Sequence, residues 1–165
     1  MGVTMRGNLL PFTIVVSSAI AFSTPLAAQN VTADITQIAE IMRAEGLQAK
    51  IGTEDSGRPY ILSGLSGYNF YVYPYGCNDD WGECKFVQFR AIFSPTVKPT
   101  LAEVNKHAAD NFFARFYIDE ENDPVIEKDI DLEAGGMSRA LFVDNLAYWD
   151  TALVTFADAM FAKDE

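Results

Sequence analysis

Histidine occurs once in this chain, as His107, and cysteine twice, as Cys77 and Cys84. That scarcity excludes the usual structural zinc sites, which draw four ligands from these residue types. It also leaves His107 as the only imidazole base for a Ser-His-Asp or Cys-His site, and no G-x-S-x-G turn is present to position a nucleophile beside it. Positive charge is scarce too: 12 Lys and Arg stand against 23 Asp and Glu, a formal net charge of −11. Such a surface repels nucleic acid and anionic lipid headgroups, whose binding needs clustered Lys and Arg. Long apolar runs are scarce as well, and an uncleaved membrane anchor is the weaker reading of the longest one. The longest apolar stretch, Leu9 to Phe22, has 14 residues, short of the roughly 20 that a transmembrane helix requires.

That stretch has another reading. It follows a single charge, Arg6, and precedes Ser23-Thr24-Pro25-Leu26-Ala27-Ala28, which is the layout of a secretory signal peptide. The expected division is a cleaved segment over residues 1–28 and one domain over residues 29–165, with the protein periplasmic or secreted and without stable membrane insertion after cleavage. Removing Arg6 leaves 11 basic against 23 acidic residues, or −12. Solubility of an exported protein accounts for that charge, and an acidic site for a basic partner is the alternative.

The rest of the chain alternates short helices and strands. Thr32 as N-cap, Ile35, Ile38 and Met42 at helical spacing and Gly46 as terminator predict a first helix. Leu47 to Thr53 and Pro59 to Leu65 read as strands around the turn Glu54-Asp55-Ser56-Gly57. Gly67 to Phe93 reads as an aromatic-rich hairpin, and the prolines Pro95 and Pro99 stop its second strand. Thr100 and Glu103 have capping-box spacing, with Leu101, Val104, Ala108 and Phe112 on one expected face of a second helix. Phe113 to Asp119 and Pro124 to Leu132 read as a further pair of strands. In the latter, Ile126, Ile130 and Leu132 alternate with Glu127, Asp129 and Asp131, the mark of a sheet with one wet face.

A terminal helix is predicted from the N-cap Ser138 to about Ala162, with Phe142, Leu146, Trp149, Leu153, Phe156 and Met160 forming a continuous core stripe. The order α-β-β-β-β-α-β-β-α implies an α+β fold: an antiparallel sheet covered by helices on one side.

Export would place Cys77 and Cys84 where disulfides persist, so the pair is expected to be bonded. Closing an eight-residue loop contributes only about 2.5 kcal/mol in the chain-entropy account, so the bond serves mainly to fix register. If the two cysteines face each other across the hairpin, Tyr75 lies opposite Phe86, Tyr73 opposite Gln88 and Tyr71 opposite Arg90 on one face. Pro74–Val87, Val72–Phe89 and Phe70–Ala91 then form the other, more apolar face, which should be the core. The first face presents Tyr71, Tyr73, Tyr75 and Phe86 beside Arg90, unusual for a solvated surface. One of the protein's own helices or a second subunit would cover it; otherwise it is a peptide or small-ligand platform with Arg90 for a carboxylate or cation–π contact.

Other chemistry is weakly supported. Redox catalysis ordinarily uses C-x-x-C, and six residues separate these cysteines. His107 is expected on a solvated helix face near Asp110. The acidic turn Asp119-Glu120-Glu121-Asn122-Asp123 offers carboxylates for calcium but lacks the length, the central glycine and the final glutamate of an EF-hand, so a hairpin turn explains it. Asp129 and Asp131 alternate onto one strand face, as a carboxylate-based hydrolase would need and as any solvated strand shows.

The blocks GYNFYVYPYGC, CKFVQFRAIF, LAEVNK, FARFYIDEENDPVIEKDIDLEAGGMS and LFVDNLAYW, in this order, resemble the YbjN family of proposed bacterial sensory transduction regulators. The resemblance implies a fold similar to type III secretion chaperones, small α+β proteins that bind other polypeptides and often dimerise, and it brings no catalytic residue. Lys128 departs from the pattern, standing on the apolar face of its strand where a hydrophobe such as Met is expected; its amine is expected to reach water while the stem packs. The expected function is non-enzymatic binding of a protein or peptide partner in a chaperone-like or regulatory role, with no cofactor and no metal. A homodimeric envelope structural or stress protein, its aromatic face consumed by the interface, is the alternative.

Overall fold

The computed structural model describes residues 30–162 and the first two residues, so the expected signal segment lies outside the described residues. Within them, no helix is long and apolar enough to cross a membrane. The elements are α1 (Ile35–Ala44), β1 (Ala49–Thr53), β2 (Pro59–Leu65), β3 (Tyr68–Tyr75), β4 (Phe86–Ile92), α2 (Leu101–Asp110), β5 (Arg115–Ile118), β6 (Pro124–Asp131) and α3 (Arg139–Phe161). They occur in the order expected from the sequence. All strands join one antiparallel sheet in the spatial order β1-β2-β3-β4-β6-β5.

The sheet has a dry face and an open face because its strands alternate. Ile61, Phe70, Val72, Val87, Phe89, Ala91, Ile126 and Ile130 are buried beneath the helices. Against them α3 lays Phe142, Leu146, Trp149, Leu153, Phe156 and Met160, all buried, as the periodicity predicted. Trp149 is the centre of this layer, edge-on to Phe70 at 5.6 Å and to Phe89 at 5.7 Å. Helix α1 adds Ile35, Ile38, Ala39 and Met42.

Hairpin β3–β4 has the register that the cysteines implied. Tyr71 pairs with Arg90, Val72 with Phe89, Tyr73 with Gln88, Pro74 with Val87 and Tyr75 with Phe86. Cys77 and Cys84 are bonded just beyond the last pair.

Two glycines are fixed by close approach. A Cβ at Gly136, whose φ is +76°, would stand 2.1 Å from the carbonyl oxygen of Val31. That approach lets Val31 bridge Met137 and tie the segment before α1 to the entry of α3. A Cβ at Gly52 would stand 2.4 Å from the ring of Tyr60. Only a residue without a side chain leaves that ring room to lie across β1.

Several local expectations are corrected. The α1 N-cap is Asp34, whose carboxylate accepts from the Thr36 and Gln37 amides, while Thr32 bonds the Gln37 side chain. Helix α2 does carry the Thr100–Glu103 capping box, but its buried stripe is Val104 and His107; Leu101, Ala108 and Phe112 are exposed. Strand β5 starts at Arg115, two residues later than expected, because Phe113 takes a left-handed conformation with φ +67° that no ladder accommodates.

Candidate functional site

The open face is built from alternate residues of four neighbouring strands and the turn before β2. Tyr60 from β2 meets Tyr71 edge-on at 5.5 Å and Tyr73 at 6.0 Å, and Tyr71 and Tyr73 stack at 5.6 Å. Across the hairpin, Tyr75 and Phe86 stack at 5.2 Å. Tyr71 is exposed, and Tyr60, Tyr73, Tyr75 and Phe86 are half-buried. Among the described residues the helices pack on the opposite face, so an intramolecular helix does not account for these rings. The Tyr73 phenol is held above its ordinary range by burial, with Glu54 and Tyr71 adding to the effect. It stays a neutral hydrogen-bond donor at physiological pH.

The rings end at a polar network that the sequence did not reveal. Glu127 of β6 is buried although it faces outward. Its Oε1 accepts from the Tyr117 hydroxyl at 2.9 Å and lies 3.3 Å from Nε of Arg90, while Oε2 takes Nη2 and Nε of Arg115. Arg115 also approaches Asp129 at 3.6 Å, and Gln88 donates to Asp129 at 2.9 Å while accepting from the Tyr75 hydroxyl at 3.2 Å. Burial, then the bond to Glu127, raises the Tyr117 phenol above its usual value.

The predicted binding residues Tyr71, Tyr73, Tyr75, Phe86 and Arg90 thus share one face. Arg90, though, has its charge met by Glu127. The cation stacked on the rings is Arg58, with its guanidinium carbon 4.4 Å from the centre of Tyr73 and 4.1 Å from that of Tyr75. The available signal was parity: Arg58 and Tyr60 are two apart, so both point to the face that Tyr73 occupies.

The remaining candidates lie elsewhere. Asp119, Glu121 and Asp123 bring carboxylate oxygens within 4.8 Å of one another. An oxygen of Asp119 already accepts from the Glu121 and Asp123 amides, and Asp123 pairs with Lys98, so the turn explains the cluster. Asp129 is tied to Gln88 and Arg115, and Asp131 accepts from the Glu133 amide, so these two carboxylates are engaged separately. Lys128 does not reach water. It is buried on the core face, where its amine donates to the Phe113 carbonyl at 3.3 Å and lies 5.3 Å and 5.9 Å from the Phe113 and Tyr148 ring centres. Burial lowers its pKa, with Asp144 opposing.

His107 is likewise buried instead of solvated, with ring centres 4.7 Å from Phe116 and 5.2 Å from Phe156, and its Nε2 has no hydrogen-bond partner among the described residues. Desolvation depresses its pKa below the ordinary 6.5, more than nearby Asp110 raises it. The unfolded chain therefore takes up the proton first as pH falls. Stability from this residue is complete above about pH 6.5 and declines below it. Urea midpoints measured on either side of that value should diverge more in the parent than in His107→Gln; equal divergence would show that His107 plays no part.

A sheet with one face filled by helices and the other presenting a ladder of rings defines the class, a one-sided α+β sandwich with an open aromatic face. Within that class, the chain belongs to the YbjN family. Residues 34–162 match its model, described as "Putative bacterial sensory transduction regulator". No curated protein and no solved structure matches the chain significantly.

Proposed function

We propose that this protein is an exported, non-enzymatic binding module that holds a polypeptide partner on its open sheet face, in the chaperone-like or regulatory manner of proteins with the type III secretion chaperone fold. One observation carries the reading. Tyr60, Tyr71 and Tyr73 form one group of ring contacts and Tyr75 and Phe86 a second, spanned by Arg58 over Tyr73 and Tyr75, on a face that no helix covers among the described residues, while the other face supplies the core. Aromatic surface of this kind gives large contact area at small cost in side-chain entropy. Membership of a regulator family supports a partner-binding role, and the apolar run near the start of the chain supports export.

The test is selection from a random peptide library, followed by substitution. Enriched peptides should lose about tenfold or more in affinity with Tyr73→Ala or Tyr71→Ala, and keep it with Glu40→Ala on exposed α1 surface. Peptide binding indifferent to both tyrosines overturns the platform. Light scattering separates the alternative: a concentration-dependent dimer that Tyr73→Ala dissociates would assign the face to self-association.

A further inference from the structure

At one end of the open face an open cleft of about 480 Å³ runs beside the disulfide loop, lined by Ser56, Arg58, Tyr75, Asn78, Asp79 and Trp81 among others. The guanidinium of Arg58 lies over the Tyr73 and Tyr75 rings. Arg90, Arg115 and Arg139 each have a carboxylate partner, and Arg43 donates to the Ala49 carbonyl. Arg58 differs from all four. Among the described residues its side chain has no carboxylate within ion-pair distance, and both its Nε and Nη2 are buried without a hydrogen-bond partner, whereas Arg90 shares only an orphaned Nε and is paired with Glu127. A guanidinium left without a counter-ion, with two of its donors shielded from water and no acceptor supplied, carries an uncompensated cost that a carboxylate in the cleft would offset. Stacking on the two rings holds the planar group in one orientation beside the cleft.

From this we infer that the cleft around Arg58 is a carboxylate-binding site, and that it takes the C-terminal carboxylate of a peptide ending in an apolar or aromatic residue. The walls narrow the choice of anion. Asp79 stands in the same cleft, and Glu54 is close enough to act on Tyr73 beside Arg58. Both repel a dianionic phosphate or an acidic run more than a single carboxylate. Tyr75 and Trp81 offer ring surface to the last side chain, and Asn78 and Ser56 offer polar groups to its backbone. The site rests on the proposed peptide-binding role and gives that role an anchor at one end of the ring ladder.

The experiment follows the Arg58 Nε–H resonance of the full protein by nitrogen-15 NMR. Probes are N-acetyl-phenylalanine, N-acetyl-phenylalaninamide, N-acetyl-aspartic acid α-amide and inorganic phosphate, at equal ionic strength. The expected result is a saturable shift with N-acetyl-phenylalanine, with at least tenfold weaker responses from the amide and phosphate. The aspartate derivative, which carries only a side-chain carboxylate, should also be weaker. Saturation of protein tyrosine and tryptophan fluorescence by the same probe should be lost in Arg58→Ala and not restored in Arg58→Lys. Equal responses to acid and amide would overturn the carboxylate site, and equal responses to phosphate would overturn its selectivity. A stronger response to the aspartate derivative would overturn the assignment to a chain terminus. If library peptides still bind through Tyr71 and Tyr73 while Arg58 is silent, only this inference falls. If Arg58 responds while those peptides ignore both tyrosines, the platform falls and the carboxylate site stands.

Discussion

Trp149→Ala is expected to lower stability by about 4 kcal/mol in urea denaturation, the largest loss from any single truncation of this core. The indole is fully buried at the centre of α3 and meets Phe70 of β3 and Phe89 of β4 edge-on. Phe89 in turn meets Phe142, about two turns earlier on the same face of the helix. Alanine would leave a cavity among rigid rings that cannot close by rotating a single side chain, so the transfer and cavity contributions add. Against the roughly 5–15 kcal/mol that holds an ordinary domain together, a loss of this size endangers folding at growth temperature. A second variant separates packing from polarity. The Trp149 Nε1 is buried without an acceptor among the described residues, so Trp149→Phe loses volume but also removes an orphaned donor. Its cost should be well below that of the alanine variant, roughly 1–2 kcal/mol. A cost equal to that of Trp149→Ala would show that the indole contributes by more than filling space.

The same helix shows why some of this fold was legible in the sequence and some was not. The stripe from Phe142 to Met160 repeats over a 23-residue helix, and each turn confirms the one before, so the pattern survives any single exception. The β3–β4 register was readable for a different reason: two cysteines and a short loop leave one antiparallel pairing, and the pairing sorts every ring onto a face. Helix α2 offered neither aid. It has ten residues, and its burial is decided by Phe116 and Phe156, which come from β5 and α3; nothing within the helix says that His107 and not Ala108 turns inward. Phe112 and Phe113 have strand-forming side chains, yet the Lys128 amine takes the Phe113 carbonyl from another strand and the backbone there turns left-handed. Arg58 sits beside a turn in the sequence, and its role appears only when β3 brings Tyr73 and Tyr75 beneath it. The parts that were missed are decided by partners remote in sequence, which periodicity does not register.

Glu127 carries the second large prediction. The alternation of β6 marks it as a wet-face residue, and it does face outward, but Arg90 from β4 and Arg115 and Tyr117 from β5 converge on its carboxylate and bury it. Among the described residues, Glu127→Ala would remove the only carboxylate that meets Arg90 and the nearer of the two that meet Arg115. A buried pair broken on one side typically costs about 3–5 kcal/mol. Both arginines retain some access to water, with side chains 34% and 57% exposed, so the expected loss is at the lower end, about 2–3 kcal/mol. Glu127→Gln keeps the shape and the bond from Tyr117 while deleting the charge, and should cost less than the alanine variant. The double variant Glu127→Ala, Arg115→Ala distinguishes charge from packing. If the loss comes from arginine left unpaired, the double variant is no less stable than Glu127→Ala alone; if it comes from contacts, the two losses add. The measurement also bears on binding. Glu127 is what occupies Arg90, so in Glu127→Ala the face gains a free guanidinium beside Tyr71. An affinity for acidic peptides that the parent lacks, lost again on adding Arg90→Ala, would show that the parent keeps Arg90 out of recognition by pairing it internally and leaves Arg58 as the cation without an internal carboxylate on this face.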